Sequence, residues 1–287
     1  MFEFREAFEC YLAQYLDQLP TVPLLKEAMS YSALDGGKRI RPLLVFAGGQ
    51  LSGADNAALL PIAAAIEMIH CYSLVHDDLP AMDDDDYRRG KLSNHKAYDE
   101  ANAILVGDAL LTEAFALLAH ADVYSAEQKV ELFKLLSTAS GALGMIKGQF
   151  LDMQAEHQPI TLEGLQEIHL HKTGALIKAS ILMGHLVGPQ FNRAAFDQLA
   201  IYAAKVGLMF QIQDDILDAT STAEVLGKSV GKDAAQEKAT YVNLLGIETA
   251  QDYMNRLTTE ALSMLAPFDA AADALNTLTH YVIERQN

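Results

Sequence analysis

Apolar positions recur every three to four residues over most of the chain, and that spacing predicts helices. Residues 101–119, 126–156, 192–219 and 249–265 combine it with Ala, Leu, Met, Glu and Gln, which favour helix. A further apolar run, Pro61–Leu79, also reads as helix and ends on two aspartates. No series of short alternating segments appears, and no hairpin dipeptide separates such segments, so no sheet is expected. Most of the eight prolines punctuate the pattern. Pro23 and Pro42 precede apolar runs, Pro61 falls in an opening turn, and Pro159, Pro189 and Pro267 lie between runs. The fold class predicted is all-α. Thr220–Gly231, with Ser, Thr, Gly and Lys together, is the best candidate for a long loop.

Composition narrows the function. At 287 residues and 51% hydrophobic, the chain can bury a sizeable core. A net charge of -17 argues against nucleic acid as a partner. The two cysteines, Cys10 and Cys71, make neither a disulfide framework nor a metal-ligand spacing. The start is charged and lacks a signal-peptide core, and no membrane span is expected. Ala57–Leu79 comes nearest to one, but Glu67, His70 and His76 interrupt it. A cytoplasmic location follows as the default.

Two acidic clusters carry the chemistry. In Gln211-Ile212-Gln213-Asp214-Asp215-Ile216-Leu217-Asp218, helical spacing puts Gln211, Asp214 and Asp218 on one face. The carboxylates of Asp214 and Asp218 repel beside Phe210, Ile212 and Ile216, and a hard divalent cation would remove the conflict. The other cluster packs six aspartates into Asp77–Asp86, with Pro80 interrupting the helix so that a loop could return Asp83 to Asp77. Arg88 and Arg89 follow at once, and guanidinium groups suit phosphate oxygens. Taken alone, Asp83–Asp86 reads as solvated surface, as acid runs usually do. Two such clusters, each late in an apolar helical run, argue for a metal-diphosphate site instead. His70 lies two helical turns before Asp77 on the same face, although a core histidine is the plainer reading. Arg39 and Lys232 read as solvated surface.

At these residues the sequence resembles the trans-isoprenyl diphosphate synthase family. Asp77–Asp83 is similar to its first aspartate-rich motif and Asp214–Asp218 to its DDxxD motif. Gly36-Gly37-Lys38-Arg39-Ile40-Arg41-Pro42, Lys172-Thr173, Leu226-Gly227-Lys228 and Lys238-Ala239-Thr240-Tyr241 resemble further elements in the same order. The resemblance implies one domain over residues 1–287, a large helical bundle with a cavity between the two aspartate-rich helices. It implies three Mg²⁺ ions, ligated by Asp77, Asp83 and Asp214, with Asp78, Asp215 and Asp218 acting through water or orienting them. The allylic diphosphate would meet Arg88, Lys172, Lys228 and Lys238, and isopentenyl diphosphate would meet Lys38, Arg41, His70 and Arg89. Thr173 and Gln211 would turn oxygens to the developing cation, and Gln149 and Asp152 would support them. The chain would be a homodimer.

Product length would be set near Tyr72 and Ser73. Tyr72 lies five residues before Asp77, about 7.5 Å along the helix. Its phase is about 140° from Asp77, so spacing alone does not turn it into the cavity. In the family an aromatic ring at this position commonly floors the cavity near fifteen carbons. Together with the Asp77–Asp83 spacing, this implies dimethylallyl and geranyl diphosphate as acceptors and farnesyl diphosphate as product. The alternatives are a geranyl or geranylgeranyl synthase, a class I terpene cyclase, an HD-type phosphohydrolase suggested by His76-Asp77-Asp78, and a non-catalytic synthase subunit.

Overall fold

The computed structural model describes residues 2–156, 158–220 and 239–285, so Lys228, Lys232, Lys238 and nearly all of the Thr220–Gly231 segment lie outside it. The order is α1 Phe2–Gln18, α2 Pro23–Ala33, α3 Ile40–Gln50, α4 Asn56–Asp77, β1 Tyr87–Arg88, β2 Lys91–Leu92, α5 Asn94–Tyr98, α6 Glu100–His120, α7 Ala126–Ser140 and α8 Met145–Ala155. There follow α9 Leu162–His169, a π-helical turn Leu170–Gly174, α10 Ala175–Leu186, α11 Arg193–Thr220, α12 Tyr241–Leu245, α13 Ile247–Leu265, a 3-10 turn Ala266–Ala272 and α14 Asp273–Glu284. Among the described residues the fold is all-helical apart from one hairpin of two-residue strands.

α4 packs on α6 and α3, α3 on α10, α10 on α11, and α11 on α13. The α3–α10 contact is close because Gly48 and Gly184 face the opposite backbone, where a Cβ would overlap the carbonyls of Ile181 and Val45. Two apolar clusters result. One is built on α1, α4, α6 and α7, and the other on α11, α13 and α14. α3 and α10 contribute to both, Val45 and Met183 to the first, Leu44 and Ile181 to the second.

Several boundaries differ from the sequence pattern. The run 126–156 is two helices, because the chain turns between Ser140 and Met145. Gly144 is in contact with the Ala139 carbonyl region in a way that leaves no room for a Cβ. α4 begins at Asn56 rather than Pro61, since the Asp55 side chain caps it by accepting from Ala58 N at 2.9 Å. Pro61 therefore sits in the second turn. The hairpin was not expected because its turn, Arg89-Gly90, lacks the usual Asn or Asp. Both residues adopt positive φ, 50° and 82°, as a tight primed turn requires. Two helices, α4 and α6, have the length and hydropathy of a membrane span, contrary to the expectation that no stretch would. In α4, 72% of the apolar window is buried inside the fold, and in α6 39%.

Arg39 is the clearest correction. It was expected on the surface, yet it is 3% exposed and opens α3 with φ 52°. Its guanidinium pairs with Glu67 of α4 at 2.6 Å and Glu9 of α1 at 2.7 Å, and donates to the Ala33 carbonyl at 2.9 Å. A charge this deep persists only where partners fill its donors.

Candidate active site

α4 ends at Asp77, where four carbonyls lack intrahelical partners. The acidic loop supplies donors. Asp83 N bonds the Asp77 carbonyl at 2.9 Å, and Asp85 N bonds the Asp78 carbonyl at 3.2 Å. Met82 N and Asp84 N both bond the Leu79 carbonyl, at 2.9 and 3.2 Å, with Asp84 at φ 49°. The main chain thus folds back and brings Asp83 beside Asp77. Burial pushes the Asp77 carboxyl up to about 6, with Lys172 and Arg88 opposing and Asp83 and Asp78 reinforcing the shift. Crowded carboxylate oxygens in a half-buried site are the hard donor set that suits Mg²⁺, and a divalent cation would relieve their mutual repulsion.

Asp78 is 3% exposed and is held by Arg88, whose Nε lies 3.0 Å from Oδ1. A further Arg88 N–H also bonds Asp78, and Asp85 approaches the same guanidinium at 3.6 Å. Arg88 is therefore already paired with acid on its own loop. Arg89 points elsewhere. It donates to the Gly36 carbonyl at 2.7 Å and lies against Gly37, where a Cβ would stand 2.6 Å from the guanidinium carbon. Gly37 has φ 96°, a conformation that calls for glycine.

Arg89 shares its surroundings with Arg41 and His70. Burial, and then the charges of Arg41 and Arg89, hold the His70 ring well below its ordinary range, so it is neutral. Burial lowers Arg41 too, with Glu67 opposing, and Arg41 Nε is buried with no hydrogen-bond partner among the described residues. Lys38 is half-buried on the same loop. The charges of Arg41 and Arg89 are thus felt by each other and by the neutral His70 ring, a setting made for an anion.

The other acidic motif lies on α11. Asp214 is paired with Arg285 at 2.7 Å. Asp215, 8% exposed, accepts the Tyr241 backbone N–H at 2.6 Å, which ties the start of α12 to α11. Asp218 is exposed. Between the two motifs stands the π-helical turn, a device frequent at functional sites. Lys172 donates to Asp152 of α8 at 2.7 Å. Burial alone would lower this ammonium, but Asp152, Asp77 and Asp83 raise it. The next residue, Thr173, donates to Gln211, one turn before Asp214. One residue of the turn thus faces the α4 acids and its neighbour bonds the α11 helix. Glycines permit this packing. A Cβ on Gly148 would lie 2.6 Å from the His171 carbonyl carbon and nearer still to Lys172 N and Cα, and one on Gly207 would lie 2.7 Å from Gly174 Cα.

Tyr72 is 5% exposed, edge-on to the His76 ring at 5.9 Å, and its hydroxyl has no hydrogen-bond partner among the described residues. Ser73 is satisfied within the helix, donating to the His70 carbonyl at 2.8 Å. Sequence reasoning missed Arg285. It follows a helix outside the predicted set, and nothing in its local sequence, Ile283-Glu284-Arg285, distinguishes it from a solvated charge.

Comparison with known proteins agrees with this geometry. Residues 22–275 match the family model described as polyprenyl synthetase. The farnesyl diphosphate synthase of Micrococcus luteus is 52% identical over 266 residues, covering 93% of this chain and 91% of that protein. A putative farnesyl-diphosphate synthase from Marinomonas sp. MED121 superposes with a TM-score of 0.84 at 40% identity, over 99% of both chains. The Helicobacter pylori geranyltransferase complexed with magnesium and isoprenyl diphosphate gives a TM-score of 0.85 at 38% identity, over 98% of this chain and 94% of that one. With most of its length matched and its two acidic motifs built into one helical fold, the chain belongs to the polyprenyl synthetase family.

Proposed function

We propose that this chain is a prenyltransferase that condenses isopentenyl diphosphate with dimethylallyl diphosphate and then geranyl diphosphate, giving farnesyl diphosphate. The observation that carries the reading is the π-helical turn: Lys172 is charged beside Asp77 and Asp83, while Thr173 is bonded to Gln211 on the helix of Asp214. The identity to the M. luteus enzyme and the magnesium complex of the H. pylori relative support the product class and the metal. Asp77, Asp83 and Asp214 would hold Mg²⁺, three ions in this reading, with Asp78, Asp215 and Asp218 orienting the ligands. When bound, Mg²⁺ supplies positive charge to the diphosphate that leaves as the allylic C–O bond breaks.

The chain's own groups do the rest. Lys172, Arg88, Lys228 and Lys238 hold the allylic diphosphate, and the charge of Lys172 is fixed in place by Asp152. The oxygens of Thr173 and Gln211 face the cation as it develops, which is electrostatic stabilisation already built before reaction. Lys38, Arg41, Arg89 and a neutral His70, which offers one N–H, hold isopentenyl diphosphate so that its double bond meets the cation. The proton lost afterwards goes to the released diphosphate, so no protein base is required. Tyr72 and Ser73 set the depth of the apolar cavity. The organisation as one domain over 1–287, the homodimer and the cytoplasmic location are part of this proposal.

Labelled isopentenyl diphosphate offered with each allylic acceptor, followed by chromatography of the dephosphorylated products, tests the activity. Farnesol is expected from both dimethylallyl and geranyl diphosphate. Phosphate release without a longer product would overturn the reading. Asp77→Ala and Asp214→Ala should each abolish turnover while the helical circular dichroism spectrum persists.

A further inference from the structure

Arg285 lies one residue beyond α14, yet its side chain is 4% exposed, and among the described residues its guanidinium pairs with Asp214 of the second acidic motif, with Phe210 just before it and with its own helix. Its Nη2 bonds Asp214 Oδ1 at 2.7 Å and the Phe210 carbonyl at 2.9 Å. Its Nε donates to the Val282 carbonyl at 3.2 Å, and its planar face lies 4.0 Å from the centroid of the Phe210 ring. The adjoining backbone is fastened to the same segment, since Gln213 Nε2 donates to the Arg285 carbonyl at 3.0 Å. The guanidinium is thus gripped by a ring and two carbonyls, its backbone is tied by a neighbouring amide, and it presents one fixed edge to Asp214.

We propose that Arg285 is a positioning residue for the metal site: through Asp214 Oδ1 it sets the plane of this carboxylate in the metal-free protein, so that a divalent cation meets an oriented ligand. The inference rests on the reading of Asp214 as a ligand. A partner that fixes a ligating side chain from behind is a recurrent part of metal sites, and its loss lowers metal affinity. Arginine suits the task better than lysine here, because a rigid fork can hold a carboxylate and a carbonyl while stacking on an aromatic face. Phe210 and Gln213 then have a role as well. Both precede Asp214 within little more than one helical turn, and both hold the arginine that holds it.

The test titrates purified protein with Mn²⁺ in the presence of inorganic diphosphate and follows free Mn²⁺ by electron paramagnetic resonance. Arg285→Met should raise the Mn²⁺ concentration for half-saturation by roughly tenfold. The metal concentration that gives half-maximal turnover should rise with it. Arg285→Lys, which keeps the charge and loses the fork, should fall between the parent and Arg285→Met. Gln213→Leu removes the neighbouring tether while leaving the guanidinium, and should lower the melting temperature with a smaller effect on Mn²⁺. Unchanged or tighter Mn²⁺ binding in Arg285→Met, or equal weakening in Gln213→Leu, would overturn the inference. Asp214→Ala in the same titration separates the two levels. If it weakens binding and Arg285→Met does not, only the role of Arg285 fails. If neither weakens it, the assignment of Asp214 fails too.

Discussion

Replacing Gly148 with alanine sets two physical effects against each other. On an isolated helix the change would stabilise by about 1 kcal/mol, because alanine is the better helix former. In this protein the added Cβ would stand 2.6 Å from the His171 carbonyl carbon, with Lys172 N and Cα nearer still. Ordinary carbon–carbon contact is about 3.5 Å, and the nearer Lys172 atoms set the requirement, so the π-helical turn must retreat by somewhat more than about 1 Å. Both obstructing groups are backbone, so no side-chain rotation relieves the clash. Overpacking of this kind costs about 1–3 kcal/mol, which cancels or outweighs the gain in propensity. The larger effect falls on rate. The same turn carries Lys172 and Thr173, and a displacement of about 1 Å at a reacting site costs on the order of 100-fold. Steady-state kinetics with geranyl and isopentenyl diphosphate, run well below the melting temperature, should show that loss in kcat with helical content retained. A Gly148→Ala enzyme with parental turnover would refute the claim that this close approach positions the turn. A raised melting temperature would show that propensity had won.

The remaining predictions are these. Tyr72→Ala should lengthen the main product beyond fifteen carbons with little loss of first-step turnover, read by product chromatography; an unchanged product would remove Tyr72 as the floor. Arg39→Met leaves Glu67 buried without its partner and should cost about 3–5 kcal/mol in denaturant unfolding, whereas Arg39→Met combined with Glu67→Met should recover most of it. Burial holds His169 down at about 4, with Asp152 opposing and Lys172 adding to the shift. The unfolded ring takes a proton near 6.5 and the folded one resists until about 4, so this stability is present above 6.5 and lost as pH falls between the two. His169→Gln should therefore gain about 2 kcal/mol relative to the parent on going from pH 7 to pH 5. The comparison must be a difference, because Asp77, raised to about 6, shifts stability in the opposite direction over this range.

The helices and the two acidic motifs were legible in the sequence because they depend on local properties. Apolar spacing defines α6 and α11 almost to the residue, and aspartates placed late in apolar runs are conspicuous. Arg39 was misread because its burial depends on Glu9 and Glu67, which lie 30 and 28 residues away. Arg285 was missed for the same kind of reason, with Asp214 far off in the chain. The break at Gly144 and the fit of Gly148 against Lys172 depend on how closely two backbones approach, and no periodicity encodes that. The Arg89-Gly90 turn carries only half of the usual hairpin signal.

The loop after α4 places its acids with main-chain amides. Asp83, Asp84 and Asp85 each donate an N–H to a carbonyl in the stretch Asp77–Leu79. Every amino acid except proline carries that N–H, so at 83 and 85 these bonds survive a change of side chain, whereas Asp84, at φ 49°, holds a conformation that few residues other than Gly, Asn and Asp adopt readily. Geometry and charge are therefore inherited separately at Asp83: a substitution there can retune how strongly the site attracts cations while the N–H that folds the loop back onto the Asp77 carbonyl stays in place.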